Sequence, residues 1–194
     1  RKVLVTGATR GIGRAIAAAF RTSGAFVIGT GTRPGPQDGC DQYFQADFAD
    51  LEQIERCADF VRGVEPDVLV NNAGINKIAP FAEINPKDFL RIQQVNVFAP
   101  FRLCQAAIPG MKRRGWGRIL GLSSIWGVIS KEYRASYSAS KFAVLGLSDA
   151  LRGEMAAHGI GVSTLFPGLT RSRMALAADS PAAASGAAMM EPIW

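Results

Sequence analysis

Short apolar runs alternate along this chain with longer segments of helical period, and few folds accommodate that alternation. The runs are Lys2–Thr6, Phe26–Thr30, Gln42–Ala46, Asp67–Val70, Arg118–Leu122 and Gly161–Phe166. Several are near-continuous Val, Ile, Leu and Phe, as strands covered on both faces should be. Helical period occupies Gly11–Ser23, Asp50–Arg62, Pro86–Arg114 and Arg134–His158. The pattern predicts an α/β fold, a doubly wound parallel sheet with helices on both faces. One crossover breaks it: Gly31–Asp41 carries Pro34, Gly35, Pro36 and Gly39, too many breakers for a helix, and is expected to be a loop or a single turn. Beyond Arg171 the chain turns Ala-, Ser- and Met-rich, which reads either as a helical lid or as a chain cut short.

At 194 residues and 48% apolar composition, one domain with one substantial core is expected. Charged residues, 20% of the chain, are dispersed, and the net charge is +6. The only dense basic run, Lys112-Arg113-Arg114, falls where a helix should end before Gly115, a position the helix dipole favours for cations. No nucleic-acid recognition module is present, so no nucleic-acid partner is expected. Cys40, Cys57 and Cys104 show neither Cys-x-x-Cys spacing nor an even count, so no disulfide framework or metal site is expected and a reducing cytoplasm fits best. No apolar stretch reaches the roughly 18 residues that span a bilayer. The chain opens inside a strand pattern without Met, as though a few N-terminal residues were missing.

Gly7, Gly11 and Gly13 follow the first apolar run and lead into the first helical segment. Such a loop lets backbone N–H groups approach a pyrophosphate at a helix N-terminus, where the dipole also favours an anion. An NAD site usually ends its second strand on an acidic residue, whereas a 2′-phosphate calls for hydroxyls and Arg. Here the strand ends Gly29-Thr30-Gly31-Thr32-Arg33, with no carboxylate before Asp38. Arg10 and Arg33 could flank one phosphate, which favours NADP(H).

Tyr137 and Lys141 are four apart at the start of a helix, hence on one face. An ammonium close to a phenol favours phenolate and lowers its pKa. Ser124 lies thirteen residues earlier, just past a strand end, at the sheet edge where open α/β folds bind ligands. A hydrolase elbow is excluded, because Gly121-Leu122-Ser123 continues as Ser124-Ile125, and the lone His158 precedes Gly159 at a helix end and reads as a cap residue.

Taken together, Thr6-Gly7-x-x-x-Gly11-x-Gly13, Asn71-Asn72-Ala73-Gly74, Asn96, Ser124, Tyr137-x-x-x-Lys141 and Pro167-Gly168 resemble the classical short-chain dehydrogenase/reductase family. The local wording is most similar to its 3-oxoacyl-[acyl-carrier-protein] reductase branch. The resemblance implies a Rossmann-like sheet and a catalytic tetrad of Asn96, Ser124, Tyr137 and Lys141. Ser124 would orient the substrate, Tyr137 would exchange the proton, Lys141 would hold the ribose and depress the Tyr137 pKa, and Asn96 would anchor a relay water. Gly7, Thr9, Arg10, Gly11, Ile12 and Gly13 would carry the pyrophosphate, with Thr32 and Arg33 at the 2′-phosphate. Asp47 and Phe48 would meet the adenine, Asn72, Ala73 and Gly74 its ribose, and Pro167, Gly168 and Thr170 the nicotinamide.

Family members carry a further strand and helix with no match here, so residues 1–194 are expected to form one NADP(H)-binding catalytic domain without them. The substrate is expected to be a ketone, secondary alcohol or acyl thioester, in a pocket lined by Ile75, Asn76, Trp126, Ile129 and Leu169 and covered by a lid around Met174–Met190. The helices bearing Val95–Leu103 and Tyr137–Met155 are apolar around most of their circumference, which predicts a homodimer or homotetramer packed through them; the alternative is that Ala-rich neighbours bury them within one subunit. The other function considered is an NADP(H)-binding sensor or scaffold that turns nothing over.

Overall fold

The computed structural model describes residues 1–35, 38–168 and 170. Six strands, β1 (Lys2–Val5), β2 (Phe26–Gly31), β3 (Gln42–Gln45), β4 (Val68–Asn71), β5 (Gly117–Leu122) and β6 (Ile160–Leu165), form one sheet in the order β3-β2-β1-β4-β5-β6, every pair parallel. The order reverses direction between β1 and β4, so their carboxyl ends open a crevice. Each predicted strand is present within one or two residues of its expected ends. Val3, Leu4, Val5, Val27, Ile28, Leu69 and Val70 are essentially inaccessible, as continuous apolar strands require.

Helices α1 (Gly11–Thr22), α2 (Leu51–Val64), α3 (Pro86–Gln93), α4 (Ala99–Arg114) and α5 (Ala135–Met155) cover the sheet. Leu4, Ile28 and Leu69 pack with Ile54 and Val61 of α2 and Leu103 and Met111 of α4 on one face. Val3, Val5, Val27 and Val70 pack with Ala17, Ile16 and Phe20 of α1 on the other. α5 lies on β5 so closely that a Cβ on Gly121 would meet Ser148 Oγ at 3.0 Å and Val144 Cγ1 at 3.3 Å.

The single helix expected over Pro86–Arg114 is divided: Gln94–Phe98 forms a π-helical turn between α3 and α4. One wide turn keeps the apolar face in line, which is why the period ran through it. Between β2 and β3, the described residues contain no helix, as the density of breakers requires. The basic run at the end of α4 is structural. Arg113 and Arg114 pair with Glu65, Arg114 Nε lies 3.4 Å from Asp67, and Gly115 caps the helix at φ 61°. His158 stands where a short 3₁₀ turn ends on left-handed Gly159, also as expected. No described helix is long and apolar enough to cross a membrane. The Met174–Met190 stretch and Leu169 lie outside the described residues.

Candidate active site

The glycine loop is fixed from beneath by Thr6. Its Oγ1 accepts the N–H of Asn72 and of Ala73, both at 2.9 Å, while Asn72 Nδ2 donates to the carbonyls of Thr6 (2.8 Å) and Gly7 (3.2 Å). β1 and β4 are thereby joined just past their ends, and Gly7 takes φ 65° to turn away from the sheet. Gly13 is buried against this latch; a Cβ there would collide with Gly7 O and Asn72 Nδ2. Gly11, by contrast, has φ 53° and open space where its Cβ would stand.

At the other side of the crevice Asn96, Ser124, Tyr137 and Lys141 come together, all buried. Asn96 sits in the π-helical turn, where its Oδ1 accepts Ile75 N–H (2.8 Å) and its Nδ2 donates to Ile75 O (2.9 Å) and Ser140 Oγ (3.0 Å). Ser140 Oγ in turn donates to the Tyr137 carbonyl at 2.6 Å. Ser124 follows β5, its Oγ accepting Trp126 N–H at 3.2 Å, and its hydroxyl stands near enough to the Tyr137 phenol to pull that phenol's pKa down. Lys141 Nζ donates to Leu122 O (2.8 Å), and Ser123 Oγ donates back to Lys141 O (2.8 Å). Gly74 lies between these groups: a Cβ on it would be 3.4 Å from Asn96 Oδ1 and 3.6 Å from Lys141 Nζ.

The family model for short chain dehydrogenase matches residues 1–182. The chain belongs to that family. The 3-oxoacyl-[acyl-carrier-protein] reductase FabG of Haemophilus influenzae is 34% identical over 180 residues, covering 88% of this chain and 74% of the relative. A 3alpha-hydroxysteroid dehydrogenase of Mediterraneibacter gnavus is 35% identical over 188 residues, covering 90% and 75%. The crystal structure of a 3-oxoacyl (acyl-carrier-protein) reductase from Agrobacterium tumefaciens with NADP bound matches with a TM-score of 0.84 at 30% identity, over 89% of this chain and 71% of that one. As a short-chain dehydrogenase, the protein is an NAD(P)-dependent oxidoreductase acting on CH–OH groups by hydride transfer, and a sensor or scaffold role is not favoured.

Its own residues fit a nicotinamide dinucleotide. No acidic residue stands in the first turn of α1 and Arg10 makes no side-chain cap, so the leading N–H groups of this short-chain dehydrogenase face the open space at Gly11. Thr9, Arg10 and Ile12 flank that opening, with Arg10 exposed. At the far end of the crevice, Thr30 Oγ1 is buried without a partner among the described residues. Beyond it the carbonyls of Thr32 and Arg33 accept Gln45 Nε2 (3.2 Å) and Tyr43 OH (2.9 Å), which pins the loop and leaves the Arg33 side chain exposed. Asp47 is half-buried, its Oδ1 occupied by Ala49 N–H at 2.9 Å. Phe48 is a core side chain, 5% exposed, and its carbonyl accepts Gln94 Nε2 at 3.1 Å. Pro167 O accepts Ile125 N–H (3.1 Å) and Thr170 Oγ1 donates to Gly168 O (3.2 Å), holding the strand exit beside Ser124.

One expectation changes. Burial pushes the Tyr137 pKa up, only partly offset by the Ser124 hydroxyl and the Arg134 guanidinium. Lys141 takes no part in that offset. Its ammonium is turned onto the Leu122 carbonyl, 5.5 Å from the Tyr137 ring centroid, and burial lowers its own pKa to about 8. Asn96 bonds Ile75 and Ser140 through its side-chain amide and so ties the loop after β4 to α5. Among the pocket residues expected, Ile75 packs on the core, Trp126 is half-buried and Ile129 is exposed. Sequence reasoning missed three contributors: Thr6 as the latch, Ser140 as the link, and Arg134. Ser140 was a signal, because a serine buried inside a helix needs a partner for its hydroxyl, and this one finds the Tyr137 carbonyl and the Asn96 amide.

Proposed function

We propose that this chain reduces a ketone to a secondary alcohol with NADPH, reversibly, using Tyr137 as the proton donor. The observation that carries the reading is the gathering of Tyr137, Ser124, Lys141 and Asn96, all buried, beside the glycine-loop crevice. Bound there, the dinucleotide supplies the hydride. Ser124 holds the carbonyl oxygen, and the Tyr137 phenol gives that oxygen its proton as the carbon is reduced. A phenol pushed upward by burial stays protonated across neutral pH, which suits it to act as the acid in reduction. Lys141, beside Gly74, would hold the ribose, and Asn96 holds the segment that carries Ile75. The NADP(H) preference is supported by the exposed Arg33 at the end of β2 and by the absence of a carboxylate there. The substrate class is that of the 3-oxoacyl reductases it resembles, a ketone on an acyl or similarly sized chain.

Association of two or four copies through α4 and α5 is supported by the apolar side chains these helices leave uncovered. Phe98 and Phe101 are 38% and 40% exposed, Phe142 and Leu147 44% and 40%. Three unpaired thiols support a reducing cytoplasmic setting. Tyr137→Phe tests the chemistry: ketone-dependent NADPH oxidation should fall by about 10²–10⁴-fold while NADPH affinity is kept. Retained turnover in that variant refutes the assignment.

A further inference from the structure

We propose that Arg134 forms an anion subsite beside Tyr137, so that the ketone reduced here carries a carboxylate or phosphate a few bonds from its carbonyl. The proposal rests on the reductase reading above and narrows its substrate. Arg134 occupies the N-cap of α5, three residues before Tyr137 and thus on the same face. Its guanidinium carbon lies 5.6 Å from the centroid of the Trp126 ring, and the Trp126 N–H is the group bonded to Ser124 Oγ. Guanidinium, phenol and serine hydroxyl therefore edge one mouth.

A cation at a helix N-terminus opposes the helix dipole, and this one is half-buried, so that burial disfavours its charge. Arg21, Arg62, Arg102, Arg113, Arg114 and Arg152 each pair with a carboxylate. Arg134 has no carboxylate partner among the described residues, a trait it shares with several exposed arginines such as Arg10 and Arg33, but it is half-buried and Glu132 is two positions away. Its backbone is held firmly: Arg134 N–H donates to Lys131 O (3.3 Å), Ser138 N–H donates to Arg134 O (2.8 Å), and Tyr133, at φ 64°, accepts Ala79 N–H (3.1 Å). An arginine set against an aromatic ring keeps its N–H fork free, and that fork matches the paired oxygens of a carboxylate or phosphate. Lys131, in the same turn, adds positive potential.

The test compares 3-oxobutanoate, 4-oxopentanoate and 5-oxohexanoate with their methyl esters, and dihydroxyacetone phosphate with dihydroxyacetone, in wild type, Arg134→Gln and Arg134→Lys. Wild type should prefer at least one anion over its neutral partner, and Arg134→Gln should lower kcat/KM for that anion at least tenfold more than for the partner. Arg134→Lys should fall between, because it keeps the charge and loses the fork. The preferred arm tells carboxylate from phosphate. A wild type that favours the neutral partners throughout, or an Arg134→Gln that lowers both alike, overturns the subsite. Calorimetry with the same anions on protein loaded with oxidised dinucleotide reads binding apart from turnover. Binding weakened tenfold by Arg134→Gln supports the subsite even where no ketone is reduced, an outcome that would refute the reductase reading alone. Absence of anion binding by wild type overturns the subsite.

Discussion

Replacing Lys141 by methionine is expected to stabilise the protein at neutral pH while ending turnover. Lys141 is 4% exposed, its ammonium donates to the Leu122 carbonyl at 2.8 Å, and burial lowers its pKa from 10.5 to about 8. At about 1.36 kcal/mol per pH unit, that gap corresponds to about 3 kcal/mol by which the folded chain disfavours the charged amine. Methionine fills a similar volume without the charge but leaves the Leu122 carbonyl unpaired, which costs about 1–3 kcal/mol. The expected net gain is about 1 kcal/mol, or a Tm higher by about 2–4 °C for a chain of this size. Below pH 8 the amine is protonated folded and unfolded, and the penalty on wild type is fully present. Between about 8 and 10.5 the unfolded chain holds a proton that the folded one has released, so wild-type stability rises with pH. The advantage of Lys141→Met should therefore shrink as pH rises past 8, vanish at about pH 9 at about 1.36 kcal/mol per unit, and be reversed by about pH 10.5. Urea unfolding of both proteins at pH 7, 9 and 10.5 measures this. A variant less stable than wild type at pH 7, or a difference that ignores pH, refutes the reasoning.

Gly13→Ala places a methyl against Gly7 O and Asn72 Nδ2, so it should destabilise by about 1–3 kcal/mol and weaken dinucleotide binding, read by thermal melts with and without NADPH. Arg33→Gln should raise KM for NADPH about tenfold and leave KM for NADH nearly unchanged, since a 2′-phosphate contact is charge-assisted; equal effects on both would refute an NADP(H) preference resting on Arg33. With its phenol pushed upward, kcat/KM for alcohol oxidation should climb with pH beyond neutrality, and Ser124→Ala should move that climb to higher pH because the Ser124 hydroxyl lowers the Tyr137 pKa. A climb that Ser124→Ala shifts to lower pH contradicts the assignment.

The sheet was legible because its strands are buried on both faces and so read as unbroken Val, Ile and Leu in β1, β2 and β4. The loop before β3 was legible because Pro and Gly at that density leave no room for a helix. The π-helical turn at Asn96 was not, since one extra residue within a turn leaves the apolar face nearly in register. Ser124, Tyr137 and Lys141 were singled out by spacing together with the family resemblance, but their hydrogen bonds were not readable. That Lys141 turns to Leu122 depends on the backbone beyond β5, far away in sequence. Arg134 was unreadable for a related reason, because its direction depends on left-handed Tyr133 and on the Trp126 ring eight residues earlier.

The links missed from sequence are the ones that make the site rigid. Ile75 is tied through Asn96 to Ser140 and from there to the Tyr137 carbonyl, while Ser123 holds the Lys141 carbonyl and Gln93 Nε2 holds the Ser136 carbonyl at 3.0 Å. The start of α5 is thus bonded to β5, to the end of α3 and to the loop after β4, on either side of the Tyr137 phenol. Side chains fixed from several elements hold a reacting group more closely than a loop can. The same bonds offset the cost of burying Asn96, Ser123, Ser140 and Lys141, groups that an apolar core would otherwise exclude. A site built in this way has little freedom at the phenol and the serine, and its adaptable part is the rim formed by Trp126, Ile129 and Arg134. On the proposed reading, chemistry is fixed by the interior of the crevice, and choice of substrate by a few partly exposed residues at its edge.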